Sequence, residues 1–356
     1  MMNKTKRILS ILLILQMITI QSLNSNSEFI ENYYSKGIYP FISSLFRYFF
    51  GWIPFSAGDL FYSLIFLMVL RSVFIFIKNK KRNYGSLLLS AGAFFSVIYF
   101  LFYFLWGLNY FREPVERSMD LAKNEYNQET LKKLTDKLFF NLVKTHKLLT
   151  ANDSLKVTIS QSKNELITQT QNGYSELKKI FPQFSYKPVS LKKSMYSLPL
   201  TYMGFSGYLN PFSGEAQVDY LVPKVSLPII SSHEVAHQLG IASESEANFI
   251  GFLAAVHNDD PVFQYSAYLM AYRYALYDLS KSDRSISKKY MEKTPKGILE
   301  NIKEIDRFWQ QYQNASEKYF KIFYDNYLKI NQQKHGIQSY SKMIDLLIAY
   351  DKKYPL

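Results

Sequence analysis

The strongest constraint on the fold of this chain is a set of three long apolar runs, all of which begin before residue 90. They cover residues 8–23, 57–78 and 86–107, and each approaches the roughly 20 residues that a helix needs to cross a bilayer. We therefore predict about three transmembrane helices that form a membrane anchor over residues 1–110. A cleaved signal peptide is the alternative for the first run, but an Ala-x-Ala cleavage site is missing after it.

Basic residues at the ends of these runs predict how the chain is oriented. They are Lys4, Lys6 and Arg7 before the first run, and Lys78, Lys80, Lys81 and Arg82 between the second and third. Because basic flanks stay in the cytoplasm, residues 111–356 are expected to lie on the extracytoplasmic side of the cytoplasmic (inner) membrane. The aromatic-rich residues 29–55 either lie in the lipid interface or pack on that outer domain.

Charge and cysteine content narrow the possible partners and metal sites. The chain of 356 residues has a net charge of +13, yet it lacks a glycine-aromatic RNA-binding pattern and a helix-turn-helix signal. A lipid bilayer, and no nucleic acid, is therefore the expected partner. There is no cysteine, so disulfides and thiolate metal sites are excluded. Any metal must be held by His, Asp or Glu, and only five histidines exist.

The domain over residues 111–356 is predicted to be mainly α with a small β element. Apolar residues recur at helical spacing in its first half, and Pro and Gly separate shorter segments after them. The remainder has the pattern of helices rich in Tyr and Leu. The predicted elements before the histidines are helices over 127–149 and 164–181, β-like pieces such as Leu198–Met203, turns over Gly204–Pro211 and a strand over Glu215–Leu221.

The segment His233-Glu234-Val235-Ala236-His237 is the candidate site. Residues four apart on a helix share a face, so His233 and His237 can direct their ring nitrogens to one point. Zn²⁺ prefers such nitrogen ligands. Glu234 lies next to the first histidine and is predicted to act as general base toward a water that the metal activates. The pattern predicts a site for one zinc ion.

A catalytic zinc site needs a third protein ligand, and two glutamates follow the histidines closely. Gly240 predicts the end of the first helix, and Ser243 predicts the N-cap of the next one. Glu244 and Glu246 in its first turn are both candidate ligands. Their alternative roles are a favourable charge at the helix start for Glu244 and a capping box with Ser243 for Glu246. The remaining histidines, interpreted as ordinary polar residues or as residues around the site, are His146, His257 and His335.

The strand upstream of the histidines is a candidate for binding substrate. In zinc peptidases an edge strand near the active helix commonly pairs with the substrate backbone. The candidate residues are Gln217, Val218, Asp219, Tyr220 and Leu221. An ordinary strand inside the sheet is the alternative interpretation of the same residues.

Two stretches carry a resemblance to a known family. HEVAHQLGIASESEANFIGFLA, which begins at His233, and the upstream GYLNPFSGEAQVDYLVP resemble a family of bacterial membrane proteins called domain of unknown function 3810. The resemblance covers nearly the whole chain and implies a zincin-like α+β metallopeptidase domain of the gluzincin kind. The element E-x-x-A-N is similar to the gluzincin E-x-x-A-D, which implies Glu244 as the ligand and Asn248 as a residue that orients the site. Asn248 departs from the usual Asp.

These observations predict a membrane-anchored zinc metallopeptidase that hydrolyses peptide bonds in a peptide or protein substrate. Two other function classes remain as alternatives. One is a metal-binding membrane sensor without catalysis, and the other is a membrane scaffold in which the histidine motif is an ordinary helix face. Zinc content separates the scaffold from the other two, and peptide cleavage separates the enzyme from the sensor.

Overall fold

The protein is built mostly from helices, with one small sheet. The computed structural model describes residues 2–78, 83–122, 126–331, 333 and 340–356. The helices are α1 (Met2–Leu23), α2 (Ser27–Phe29), α3 (Tyr39–Gly51), α4 (Ala57–Lys78), α5 (Tyr84–Leu105), α6 (Val115–Ser118), α7 (Gln128–Leu149), α8 (Lys163–Ile180), α9 (Ser197–Met203), α10 (Leu227–Gln238), α11 (Glu244–Val256), α12 (Pro261–Ser282), α13 (Arg284–Lys293), α14 (Lys296–Gln311), α15 (Glu317–Ile330) and α16 (Tyr340–Lys353). The strands are β1 (Leu191–Lys193), β2 (Gly207–Leu209) and β3 (Ala216–Val218). A π-helical segment (Ile30–Ile38) and two 3-10 turns (Gly107–Phe111 and Pro182–Phe184) complete the regular structure. The predicted mainly α fold with a small β element is confirmed.

Three helices are long and apolar enough to cross a membrane: Lys4–Leu23 within α1, α4 and α5. They coincide with the three apolar runs of the sequence. Helices α1 and α5 run side by side in the same direction, since Lys6 Nζ donates to Ser90 Oγ at 2.8 Å and Ser96 Oγ donates to Gln16 Oε1 at 3.5 Å. The basic residues Lys80, Lys81 and Arg82, which enter the orientation prediction, lie outside the described residues.

The segment between the first two apolar helices packs on the rest of the protein along one face. Arg112 pairs with the buried Glu31 at 2.9 Å, and Tyr39 OH and Ser43 Oγ both donate to the Gln238 carbonyl, at 2.9 and 2.8 Å. The opposite face of α3 is exposed and aromatic; it carries Phe41, Tyr48 and Phe49, and Trp52 directly after the helix is exposed as well. One face is therefore packed and the other free, and buried contacts cross the predicted domain boundary near residue 110.

Strand β3 is the middle strand of the sheet, with β1 parallel to it on one side and β2 antiparallel on the other. The prediction that residues 217–221 form an edge strand is therefore wrong. Only Ala216–Val218 is strand, and both of its sides are paired. Strand β2 lies inside the segment that was predicted as turns. The prediction missed it because a strand of three residues is too short to show the alternation of apolar and polar residues.

The predicted β-like piece Leu198–Met203 is also wrong, since these residues belong to helix α9. Pro199 lies in the first turn, where its missing N–H costs no hydrogen bond. Gly204 follows the helix with φ of 80°, the left-handed conformation that commonly ends a helix. Pro and Gly mark helix ends here rather than turns between strands. The predicted helices over 127–149 and 164–181 are confirmed as α7 and α8.

The two helices that carry the histidines and the glutamates lie at the centre of the main core. Helix α10 packs against α11, and α8, α12 and the sheet surround the pair. Phe249, Phe252 and Leu253 of α11 are fully buried. A Cβ at Gly251 would lie 2.8 Å from the backbone nitrogen of His233, so this glycine permits the close approach of the two helices. Dense packing of this kind leaves the site little freedom to move.

Candidate metal centre

Helix α10 places the two histidines on one face, as predicted. The helix starts with Pro228 in its first turn and ends before Gly240, whose φ is 85°. The Nε2 atoms of His233 and His237 lie 3.0 Å apart. The Nδ1 atom of His237 is 2.7 Å from the Ile241 carbonyl, so it donates there and leaves Nε2 with a free lone pair.

Glu244, and not Glu246, is the glutamate that lies beside the histidines. Its Oε2 is 3.4 Å from His233 Nε2, and its Oε1 is 3.6 Å from His237 Nε2. The Glu246 carboxylate instead accepts from the backbone N–H of Val115 at 3.2 Å. The predicted capping box is wrong: Ser243 does precede α11, but its side chain caps no backbone N–H.

The geometry of these three groups fits a zinc ion. Ligand atoms about 2.0–2.1 Å from a tetrahedral ion lie roughly 3.3 Å from one another. The two histidine nitrogens lie 3.0 Å apart, His233 Nε2 lies 3.4 Å from Oε2 of Glu244, and His237 Nε2 lies 3.6 Å from Oε1 of the same carboxylate. With one ligand atom taken from each residue, the three atoms all lie within 4.8 Å of one another. Two imidazoles and a carboxylate are also a donor set typical of catalytic zinc. The residues present therefore fit the metal that the motif implies.

The other histidines lie elsewhere. His146 is buried with its Nε2 3.0 Å from the Leu155 carbonyl, and the Nδ1 of His257 lies 2.8 Å from the Leu253 carbonyl. His335 lies outside the described residues. Both described histidines thus bond to backbone carbonyls, in agreement with their interpretation as ordinary polar residues.

Glu234 is a buried carboxylate immediately beside this cluster. Glu234 is only 3% exposed, and its Oε2 has no hydrogen-bond partner within the described part of the chain. Burial raises the pKa of Glu234 to about 7, against smaller lowering effects of His233 and His237. A carboxylate that is buried, unpaired and poised near neutrality is suited to exchange a proton with a bound reactant.

The charges of the cluster are strongly coupled. Burial alone raises the pKa of Glu244, but His237 and His233 hold it well below its usual range. Burial lowers the pKa of His237, yet the Glu244 carboxylate raises it to about 9. A metal ion would bind the same atoms that bind protons here, so metal binding and protonation of this cluster compete.

Two aromatic residues from distant parts of the chain support the cluster. Tyr324 OH on α15 donates to Glu244 Oε1 at 2.6 Å, and Trp106 Nε1 donates to the His237 carbonyl at 3.0 Å. Asn248, to which the resemblance assigned an orienting role, is half-buried and makes no hydrogen bond to His237 or Glu244 among the described residues. Sequence reasoning missed Tyr324 because nothing local distinguishes it among 29 tyrosines.

Removing the Tyr324 hydroxyl is expected to weaken zinc binding. Residues that hydrogen-bond to metal ligands are typically worth about 10- to 100-fold in metal affinity, so we expect a loss of that size for Tyr324→Phe. The measurement is competition for zinc against a chelator of known affinity. The matched control is Tyr319→Phe on the same helix, where the ring is exposed. Equal affinities for the two variants would contradict the role of the hydroxyl.

The residues predicted to bind substrate do not face the cluster as a group. Gln217 and Asp219 are fully buried, and Asp219 accepts a hydrogen bond from Thr201 at 2.6 Å. The strand beside the site is β2: a Cβ at Gly207 would lie 2.5 Å from Glu234 Oε1. The ordinary-strand interpretation therefore holds for Gln217 and Val218 only, residues 219–221 lie outside the strand, and β2 is the edge strand next to the cluster.

The fold and the site define a class: a mostly helical chain with three helices apolar enough to span a membrane, and a cluster of two histidines and a glutamate that could hold a metal. The chain belongs to the family described as Protein of unknown function (DUF3810), whose model matches residues 34–348. The resemblance found in the sequence is thus confirmed. No curated protein and no solved structure matches the chain.

Proposed function

We propose that this protein is a membrane-anchored zinc peptidase with a zincin-like catalytic domain. The observation that carries the proposal is the convergence of His233, His237 and Glu244 beside the buried carboxylate of Glu234. Among the described residues the cluster contains three potential ligands and no fourth. Structural zinc sites use four protein ligands, whereas catalytic sites use three and keep one position open.

Each residue of the cluster then has a distinct task. When bound, zinc supplies a Lewis acid that polarises a peptide carbonyl and makes water more acidic. Glu234 takes a proton from the attacking water and delivers it to the leaving amine. The backbone of β2 lies next to Glu234 and is the part of the sheet suited to pair with an extended substrate.

The function is tested with the full chain purified in detergent and loaded with zinc. We expect one zinc ion per chain, cleavage of casein, loss of cleavage on chelation and recovery when zinc is restored. Zinc binding without cleavage of casein or of a mixed peptide library would support the non-catalytic sensor instead. A chain that binds no zinc would contradict both the peptidase and the sensor, and the membrane scaffold would be the remaining hypothesis.

We also propose that the catalytic domain lies outside the cytoplasm, supported by the basic residues at the start of α1 and the end of α4. Because the chain has no cysteine, single cysteines can report the orientation. We expect Ser154→Cys, at an exposed position, to react with a membrane-impermeant maleimide on intact spheroplasts, and Lys78→Cys to react only after permeabilisation. The reverse pattern of labelling would place the domain in the cytoplasm.

A further inference from the structure

The candidate metal centre lies directly at the end of a membrane helix. Trp106 follows the last residue of α5, and its indole N–H is bonded to the carbonyl of His237 at 3.0 Å. The rings of Trp106 and His237 lie 6.3 Å apart. Since α5 is apolar enough to span a bilayer up to Leu105, the cluster lies next to the end of that span.

Strand β2 connects this end of α5 with the start of α4. Tyr208 OH donates to the buried Asp59 in the first turn of α4, and the rings of Tyr208 and Tyr62 lie 6.2 Å apart. Leu209 packs against the aromatic cluster that contains Tyr103 of α5. Strand β2, which lies against Glu234, is therefore held between two helices that have the length and composition of membrane spans.

The two spans on either side of β2 are not both covered by protein. Helix α5 packs along α1, whereas α4 is exposed from Leu64 to Lys78 except for the half-buried Ile65 and Phe76, as far as the described residues show. In a bilayer, the space beside α4 is filled by lipid or by another apolar chain. Lipid or an apolar chain can therefore lie along α4 as far as Leu64, two residues beyond Tyr62, whose ring contacts β2.

Helix α15 covers the cluster on another side and has the pattern of an interfacial helix. Its inner face carries Tyr324, which is bonded to Glu244, while Tyr319, Phe323 and Ile330 on the outer face are 71%, 72% and 75% exposed. Large apolar residues on one face of a helix with charges on another are typical of helices that lie in a membrane surface. Two ion pairs form along α15, Glu317 with Lys321 and Asp325 with Lys329.

The C-terminal end of α15 is joined to the last turn of α5. Tyr103 OH donates to Asn331 Oδ1 at 2.8 Å, and the rings of Phe102 and Tyr327 lie 6.2 Å apart. These contacts place α15 at the C-terminal end of α5, where the apolar span ends. The exposed aromatic face of α3 is a second such surface, since aromatic belts collect at the membrane–water boundary.

We infer that the substrate is a polypeptide anchored in the same membrane, and that it reaches β2 from the lipid beside α4 and α5 and is cut within a few residues of the bilayer surface. The inference rests on the proposed function and names its substrate class. The geometry that carries it is the position of Glu234 and the histidines between β2, the end of α5 and the membrane-facing helix α15.

The test uses the full zinc-loaded chain in phosphatidylcholine vesicles and a peptide sequence that it cleaves out of casein. The sequence is offered free in solution, fused directly to a membrane-spanning helix, and fused to that helix through 30 Gly/Ser residues, which reach about 30 Å. A tether works best when its length matches the distance to the site. We expect the directly fused substrate to have a kcat/KM at least about tenfold above that of the linked one.

A second measurement concerns the outer face of α15. We expect Phe323→Glu to lower cleavage of the directly fused substrate about tenfold with zinc content unchanged and cleavage of the free peptide unaffected, because a charge opposes burial of this face in the interface. Lys318→Glu, at an exposed position of the same helix, is the matched control and should change neither rate.

The outcomes separate this inference from the proposed function. Equal or faster cleavage of the linked or the free peptide would overturn the membrane-anchored substrate and leave the peptidase intact. If the zinc-loaded protein cleaved neither casein nor any peptide of a mixed library, the peptidase proposal itself would fail, and this inference with it.

Discussion

Replacement of Glu234 by Gln is expected to lower peptide hydrolysis by about 10²- to 10⁴-fold while the zinc content stays the same. The amide has nearly the shape of the carboxylate, so packing around α10 is kept. It cannot accept a proton, however, and the step in which Glu234 takes the proton of the attacking water is lost. The measurements are the rate of casein or peptide cleavage and the zinc content of the same preparation.

The control for this experiment is Glu246→Gln. Glu246 is also a buried glutamate near the site, but its carboxylate faces Val115 rather than the cluster. This variant should cleave at close to the parent rate, because an amide oxygen still accepts the Val115 N–H. A Glu234→Gln protein as active as the parent would show that Glu234 is not the base.

The second large effect is expected for zinc binding in Glu244→Gln. Loss of a residue that only hydrogen-bonds to a metal ligand costs up to about 100-fold in metal affinity. Because Glu244 would bind the ion directly, its replacement should weaken zinc affinity by at least that much. Isothermal titration with zinc measures this directly. The same Glu246→Gln variant should bind zinc with the parent affinity, since Glu246 lies outside the cluster.

This pair of variants tests the assignment of the third ligand. If Glu246→Gln lost zinc and Glu244→Gln retained it, the geometry of α11 described above would be wrong. If neither variant lost zinc, the ion would be held by other residues. His237→Ala, which removes a nitrogen ligand from the centre of the cluster, gives the reference for complete loss of the site.

Local patterns predicted the features that depend on neighbouring residues. Helices α7 and α8 follow from apolar residues at helical spacing and end within one residue of the predicted bounds. His233 and His237 share a face because they are four residues apart on one helix, and Gly240 ends that helix because its φ of 85° suits glycine. The same local logic did not reveal β2 or α9, which are too short to show a period.

The sequence by itself determined the apolar helices, the helix that carries His233, Glu234 and His237, and the choice of only two glutamates as candidates for a third metal ligand. Only the tertiary structure decided that Glu244 faces the histidines, since this depends on how α11 crosses α10. It also decided that β3 is central, that β2 lies beside Glu234, and that Tyr324 and Trp106 support the cluster. Contacts between residues far apart in the chain arise from packing, and the chain carries no local signal for them.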